Sequence, residues 1–247
     1  NDNSYFLPLG ALIEIFLETC WLQRENRFIG LSGVASSSSC LSIHNSSKSH
    51  GNTMKCVVHG GCARLQYDSV LGPPTECSAS CHFTSNIDVM PDSLTTAFES
   101  YNVDAPTLYD LLNRRSLKYG AMLQLLQEIK VSCTGDFAMG HVKLPGDAKS
   151  WQTYTIPPPV IECAFQLITA LSLSNPLVAV ECSEVSVDRS VVASLWDSPY
   201  CLAYARAAGA GVYDCWITLP DGSVMMYVKS IGTCAVVDMS SSLVSPL

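Results

Sequence analysis

The sequence predicts an α+β fold made of two copies of one unit, each a long apolar helix wrapped by an antiparallel sheet. Three observations carry this. Two helical stretches, "GALIEIFLE" (10–18) and "PPVIECAFQ" (158–166), share a register: each follows a proline-containing lead-in and sets an Ile-Glu pair near its start. Each is followed by strand-like runs and a turn-rich segment, so the pattern repeats along the chain. Asp221-Gly222 lies between two strand-like runs, the signal of a hairpin and hence of antiparallel pairing.

The elements follow in order. Over 7–22 the residues Leu9, Leu12, Ile13, Phe16, Leu17 and Cys20 fall on one helical stripe. A short apolar run over 30–34 stops at "SSSSC", and the polar, breaker-rich 43–53 reads as a loop. "KCVVHGGCARLQY" reads as one strand with a bulge at Gly60-Gly61. From 71 to 105 the chain reads as a connector with a short helix near "SLTTAFES". "TLYDLLNRRSLKYGAMLQLLQEIKVSC" gives a helix, a Tyr-Gly break and an apolar piece leading into a strand. "GDFAMGHVKLP" is a further strand; after the second apolar helix come "LVAVECSEVSV", "YCLAYARAA", "GVYDCWITL" and "SVMMYVKSIGTCAVV". The expected organisation is a first unit over 1–85 that lacks its N-terminal strand, a linker over 86–105, and a second unit over 106–247.

Composition narrows the class. The 247 residues are 48% hydrophobic and 15% charged, enough for a sizeable core under a charge-poor surface of the kind that leans on neighbouring domains or a twin subunit. A net charge of -8 argues against gripping nucleic acid through its phosphates. The most apolar stretch, 7–22, is interrupted by Glu14 and Glu18 and is too short to span a bilayer. The chain starts at Asn1 with no initiator Met and reads as a piece of something longer. Twelve cysteines occur without a Cys-x-x-Cys pair, many in apolar runs where free cysteine packs as a small hydrophobe; a reducing, cytoplasmic setting is expected. Cys81 and His82 are adjacent, an awkward spacing for two zinc ligands even with Cys77 nearby, so no metal site is expected.

Five stretches in order resemble one family, the dehydratase domains of polyketide synthases and animal-type fatty acid synthases, which are two hot-dog folds in tandem. "LPLGALIEIFLE" looks like the family's proline-led central helix, and "CVVHGGCARL" like its Trp-x-x-His-x-x-Gly strand. "YDLLNRRSLKYGAMLQLLQEI" resembles its Tyr-rich helix followed by Leu-x-Tyr-Gly-x-x-φ-Gln. "IPPPVIECAFQ" resembles His-Pro-x-φ-φ-Asp-x-x-φ-Gln, and "DCWITLPDGSVMMYVKSI" the closing hairpin. The resemblance implies a double hot dog. It also implies removal of water from a β-hydroxyacyl chain borne on the phosphopantetheine of an acyl carrier protein, with no other cofactor. It assigns Glu162 to the acid that protonates the departing hydroxyl and Gln166 to orienting it, and it places Tyr119, Gly120 and Pro158 along the substrate. Acyl carrier protein, neighbouring synthase domains and a second copy of the chain are the implied partners.

Two departures bear on activity. Glu162 stands where the family has aspartate, and a methylene more displaces the acid where about 1 Å can cost a hundredfold. With Pro8 as the proline of His-x-x-x-Gly-x-x-x-x-Pro, the histidine base falls just before Asn1, and Asn3 occupies the glycine's place. His59 reads as structural, His44 and His50 lie in the polar loop, and His82 and His141 have no partner pattern. The resemblance therefore leaves open an active dehydratase, a pseudo-dehydratase kept as a dimerising element, and a product-template or isomerase relative. A plainly structural reading of Glu162, a carboxylate favoured by the helix dipole in a first turn, stands beside these.

Overall fold

A computed structural model describes residues 4–7, 9–21, 28–36, 41–44, 53–59, 62–68, 75–82, 87–88, 90–91, 99–114, 117–144, 151–173 and 176–235. A short strand β1 (Ser4–Leu7) precedes helix α1 (Leu9–Trp21), and then come β2 (Phe28–Ser36), β3 (Leu41–His44), β4 (Thr53–His59), β5 (Cys62–Asp68) and β6 (Thr75–His82). The second half opens with β7 (Ser100–Asp104) and α2 (Ala105–Arg114), then β8 (Leu126–Ser132), β9 (Phe137–Lys143) and α3 (Pro158–Leu171). It closes with β10 (Leu177–Asp188), the short α4 (Arg189–Val192), β11 (Tyr200–Gly209), β12 (Val212–Thr218) and β13 (Val224–Ala235).

Among the described residues, eleven strands form one antiparallel sheet in the order β4-β5-β6-β2-β10-β13-β12-β11-β9-β8-β7, and β1 pairs separately with β3. The two halves join where β2 lies antiparallel to β10, from Ala35 opposite Glu181 to Phe28 opposite Asp188. Each half has one long helix against the sheet, which is the double hot dog. The second helix, α3, is buried from Pro159 to Ala170, all round, as a helix enclosed by its own sheet and a neighbouring helix must be. Pro158 and Pro159 occupy its first positions, where a missing N–H has no intrahelical acceptor to lose. The Pro157 carbonyl accepts from Val160 N–H at 2.8 Å and closes the first turn.

Strand β12 is buried along both faces. Tyr213, Cys215 and Ile217 point to the helices, while Trp216 points outward into a second cluster with Phe137, Tyr204, Tyr227 and Met90. Arg206 ties that outer layer together, donating to Asp214 Oδ2 at 2.6 Å and lying 5.1 Å from the Trp216 ring centre.

Two sequence expectations need amendment. His59 is paired with Cys62, so 53–59 and 62–68 are two antiparallel strands, β4 and β5, rather than one bulged strand; Gly60-Gly61 lies outside the described residues. β7 falls inside the expected 86–105 linker, yet it pairs with β8 and forms the edge of the second half. The helix expected near "SLTTAFES" (93–100) falls on residues of which 93–98 lie outside the described ones. The Asp221-Gly222 hairpin is present: Thr218 pairs with Val224, and Gly222 takes φ +89 in the loop between. No described helix is long and apolar enough to cross a membrane.

Candidate active site

The starts of α1 and α3 meet closely. A Cβ on Gly10 would lie 3.1 Å from Glu162 N and 3.2 Å from the Pro158 carbonyl oxygen, so any larger residue would have to push the start of α3 back by a few tenths of an ångström. The contact puts the Gly10 N–H 3.4 Å from Glu162 Oε2. From the other side, the Tyr119 hydroxyl donates to Glu162 Oε1 at 3.1 Å. Among the described residues these are the two hydrogen-bond donors to the carboxyl.

Glu162 is only 4% exposed. Burial pushes its pKa up to about 7, against the lowering effect of the Tyr119 and Gly10 hydrogen bonds. Near neutral pH the group divides between proton donor and proton acceptor, the condition for general acid or base work. The dipole reading fails on geometry. Glu162 is the fifth residue of α3, past the first turn where that field acts. Tyr119 keeps its proton, because burial and the neighbouring Glu162 charge hold its pKa well above the usual range.

Gln166 lies one turn along the same face but does not hydrogen-bond to Glu162. Its Oε1 accepts the Tyr109 hydroxyl at 2.9 Å, and its Nε2 donates to the Leu123 carbonyl at 2.9 Å. Its place in the site is therefore under the segment that carries Tyr119. Gly120 precedes a short 3-10 turn, Ala121–Leu123, and a Cβ added there would meet nothing within 4 Å. Pro158 touches the site through its backbone, as the carbonyl facing Gly10. His141 lies away from the site, stacked on Tyr200 with 4.9 Å between ring centres and 4.0 Å from Glu128.

Sequence reasoning missed three participants. Gly10 was visible only as part of a helical run. Tyr109 stood in a matched motif with no role attached. Glu14, the first helix's counterpart of Glu162 in the shared Ile-Glu register, accepts Thr155 N–H at 2.6 Å and Ile156 N–H at 3.2 Å, on the lead-in to α3. The halves thus exchange carboxyls, each long helix sending one glutamate to the start of the other.

The two glycines give a contrast. Gly10→Ala is expected to cost about 1–3 kcal/mol in urea unfolding, because the atoms it meets are mostly backbone and cannot swing aside. It is also expected to move the Glu162 midpoint upward as the Gly10 hydrogen bond lengthens. Gly120→Ala should stay within about 0.5 kcal/mol. Equal effects at the two positions would contradict the close approach.

A search of curated proteins returned no match. Solved structures share the fold. The dehydratase domain from the CurF module of curacin polyketide synthase superposes with TM-score 0.75 at 14% identity, covering 94% of this chain and 85% of that one. The dehydratase domain of RzxB from Pseudomonas fluorescens gives 0.70 at 16% identity, over 93% and 86%. An inactive aspartate-to-asparagine variant of CurK dehydratase gives 0.73 at 13% identity, over 96% and 85%. Residues 94–241, more than half of the chain, match the family described as polyketide synthase dehydratase N-terminal domain. With the tandem hot-dog halves and the carboxyl between their helix starts, the chain belongs to the polyketide synthase dehydratase family.

Proposed function

We propose that this domain removes water from a β-hydroxyacyl chain carried on the phosphopantetheine of an acyl carrier protein, with Glu162 as the acid. One observation carries the reading: a buried carboxyl with a pKa near 7, aimed by the Tyr119 hydroxyl and the Gly10 N–H at the junction of the two helix starts. In the elimination a base takes the α-proton, the β-carbon–oxygen bond breaks as the double bond forms, and Glu162 gives its proton to the leaving hydroxyl. The step is redox-neutral and calls for no further cofactor. The aspartate-to-asparagine variant of CurK dehydratase is inactive, and the resemblance of "IPPPVIECAFQ" to the family motif puts Glu162 in the place of that motif's aspartate, which supports the assignment. The same reading makes acyl carrier protein, neighbouring synthase domains and a second copy the domain's partners.

The test is to supply a β-hydroxyacyl pantetheine thioester, free or on carrier protein, and follow loss of one water by mass spectrometry. Formation of the enoyl thioester is the expected result. A folded domain that neither eliminates water nor hydrates the enoyl thioester would retire the proposal. That outcome would favour the second reading, a fold retained as a dimerising or spacing element. The burial of Glu162 speaks for it, since both carboxyl oxygens are already engaged by internal donors.

A further inference from the structure

We propose, resting on the reading of Glu162 as the working acid, that Tyr109 is a positioning residue that acts through Gln166 to hold Tyr119 against the Glu162 carboxyl. Tyr119 lies in a stretch, 117–125, whose one regular piece is the three-residue turn Ala121–Leu123. A segment without a hydrogen-bonded ladder cannot fix a ring by itself; its backbone groups must be satisfied from elsewhere. Backbone groups supply some of the partners, with Leu117 N–H on the Leu112 carbonyl, Leu123 N–H on that of Gly120 and Lys143 N–H on that of Leu125, and side chains supply others. Leu126 N–H donates to the Tyr109 hydroxyl oxygen at 3.2 Å, Gln166 Nε2 donates to the Leu123 carbonyl at 2.9 Å, and Gln124 Nε2 donates to the Tyr119 carbonyl at 2.7 Å.

The relay has one direction. Tyr109 has a single hydroxyl proton, which goes to Gln166 Oε1 at 2.9 Å, leaving a lone pair for Leu126 N–H. That contact fixes which way the Gln166 amide points, so its N–H must face Leu123. Leu123 and Leu126 bracket the end of the segment, and both are thereby referred to α3, the helix that carries Glu162. Tyr109 is buried in the core together with Leu108 and Leu112 of the same helix. Without its hydroxyl, Gln166 Oε1 and Leu126 N–H lose their partner, the amide is free to turn, and the Tyr119 hydroxyl drifts from its 3.1 Å contact.

The experiment follows the Glu162 carboxyl itself, by ¹³C-glutamate NMR across a pH titration of the whole domain, with Glu162→Gln to assign the signal. The titratable groups that interact with it are Tyr119 and Cys163, both driven upward by burial, with Tyr109 behind Tyr119, while α1 presents the Gly10 N–H. Tyr119→Phe is expected to raise the midpoint by about one pH unit, since it removes a donor to the ionised form. Tyr109→Phe and Gln166→Met, neither touching Glu162, should raise it in the same direction. The Tyr109→Phe/Tyr119→Phe double variant should go no further than Tyr119→Phe alone. A merely structural Tyr109 would lower the melting temperature and leave the midpoint in place; that result, or additive shifts in the double variant, overturns the proposal. If Tyr109→Phe does not fold, Gln166→Met decides by the same criterion. The titration needs no turnover, so a domain inactive toward hydroxyacyl thioesters leaves this result intact, while an active domain with an unmoved midpoint refutes it alone.

Discussion

A Glu162→Gln domain is expected to lose water elimination by about two to four orders of magnitude in kcat/KM and, at about pH 8, to become more stable than the unsubstituted domain. The first effect is the usual contribution of a positioned general acid. The second follows from the same burial. The folded-state pKa is raised from 4.5 to about 7, so the proton is held more tightly folded than unfolded. Stability from this group is complete below the unfolded value, declines as pH rises toward about 7, and is flat beyond. The decline amounts to about 3 kcal/mol, which glutamine, having no proton to lose, does not suffer. Because the working form is the protonated one, elimination by the unsubstituted domain should also fall off above about pH 7. Undiminished turnover by Glu162→Gln would remove the acid role; a stability change in the opposite direction would remove the raised pKa.

The opposite movement of activity and stability separates this residue from an ordinary core position. Truncating a buried apolar group on α3 would lower stability and affect activity only through folding. A buried carboxyl that the fold would be better without is retained for something other than the fold. The family's aspartate makes Glu162→Asp a useful companion. It keeps the proton but withdraws it by a methylene from the Tyr119 and Gly10 donors, which are set for the longer side chain. Its activity should fall below that of the unsubstituted domain, in contrast to what a comparison with relatives alone would anticipate.

What could be read from the sequence was what depends on local pattern. The stripe of Leu9, Leu12, Ile13, Phe16 and Leu17 gave the first helix, and the three prolines before Val160 gave the start of the second. Glu162 stood out because a carboxylate in such a run needs a reason. What local pattern cannot carry is the choice of partner. Gln166 sits one turn from Glu162, which is neighbourly on a helix, yet a tyrosine 57 residues away takes its carbonyl. Gly60-Gly61 looked like a bulge because two short paired strands leave the same composition as one interrupted strand. The β2–β10 pairing that joins the halves, with partners such as Leu31 and Val185, has no signature in either strand alone. The Ile-Glu register was the exception. A local repeat there announced a long-range relation, the reciprocal reach of Glu14 and Glu162 across the helix starts.

That reciprocity sets the largest expected effect on stability. Glu14, 1% exposed, has its pKa pushed up to about 9, first by burial and then by Glu18 one turn on, against the lowering effect of the Ile156 and Thr155 N–H groups. It is therefore a neutral carboxyl at neutral pH, accepting those two N–H groups while Thr155 Oγ1 donates to Glu18 Oε1 at 3.1 Å. A rise from 4.5 to about 9 corresponds to about 6 kcal/mol, comparable with the whole stability of many domains. This stability is fully present below the unfolded value and is lost progressively as pH climbs toward about 9. Urea unfolding from about pH 5 to about pH 9 should show that loss in the unsubstituted protein. Glu14→Gln should flatten it, whatever the variant's absolute stability, because glutamine still offers a carbonyl to Thr155 N–H but has no charge to acquire. Parallel pH curves for the two proteins would mean that Glu14 is already ionised in the fold. The first helix would then hold the second by a charged contact to the Thr155–Ile156 amides instead of a neutral one.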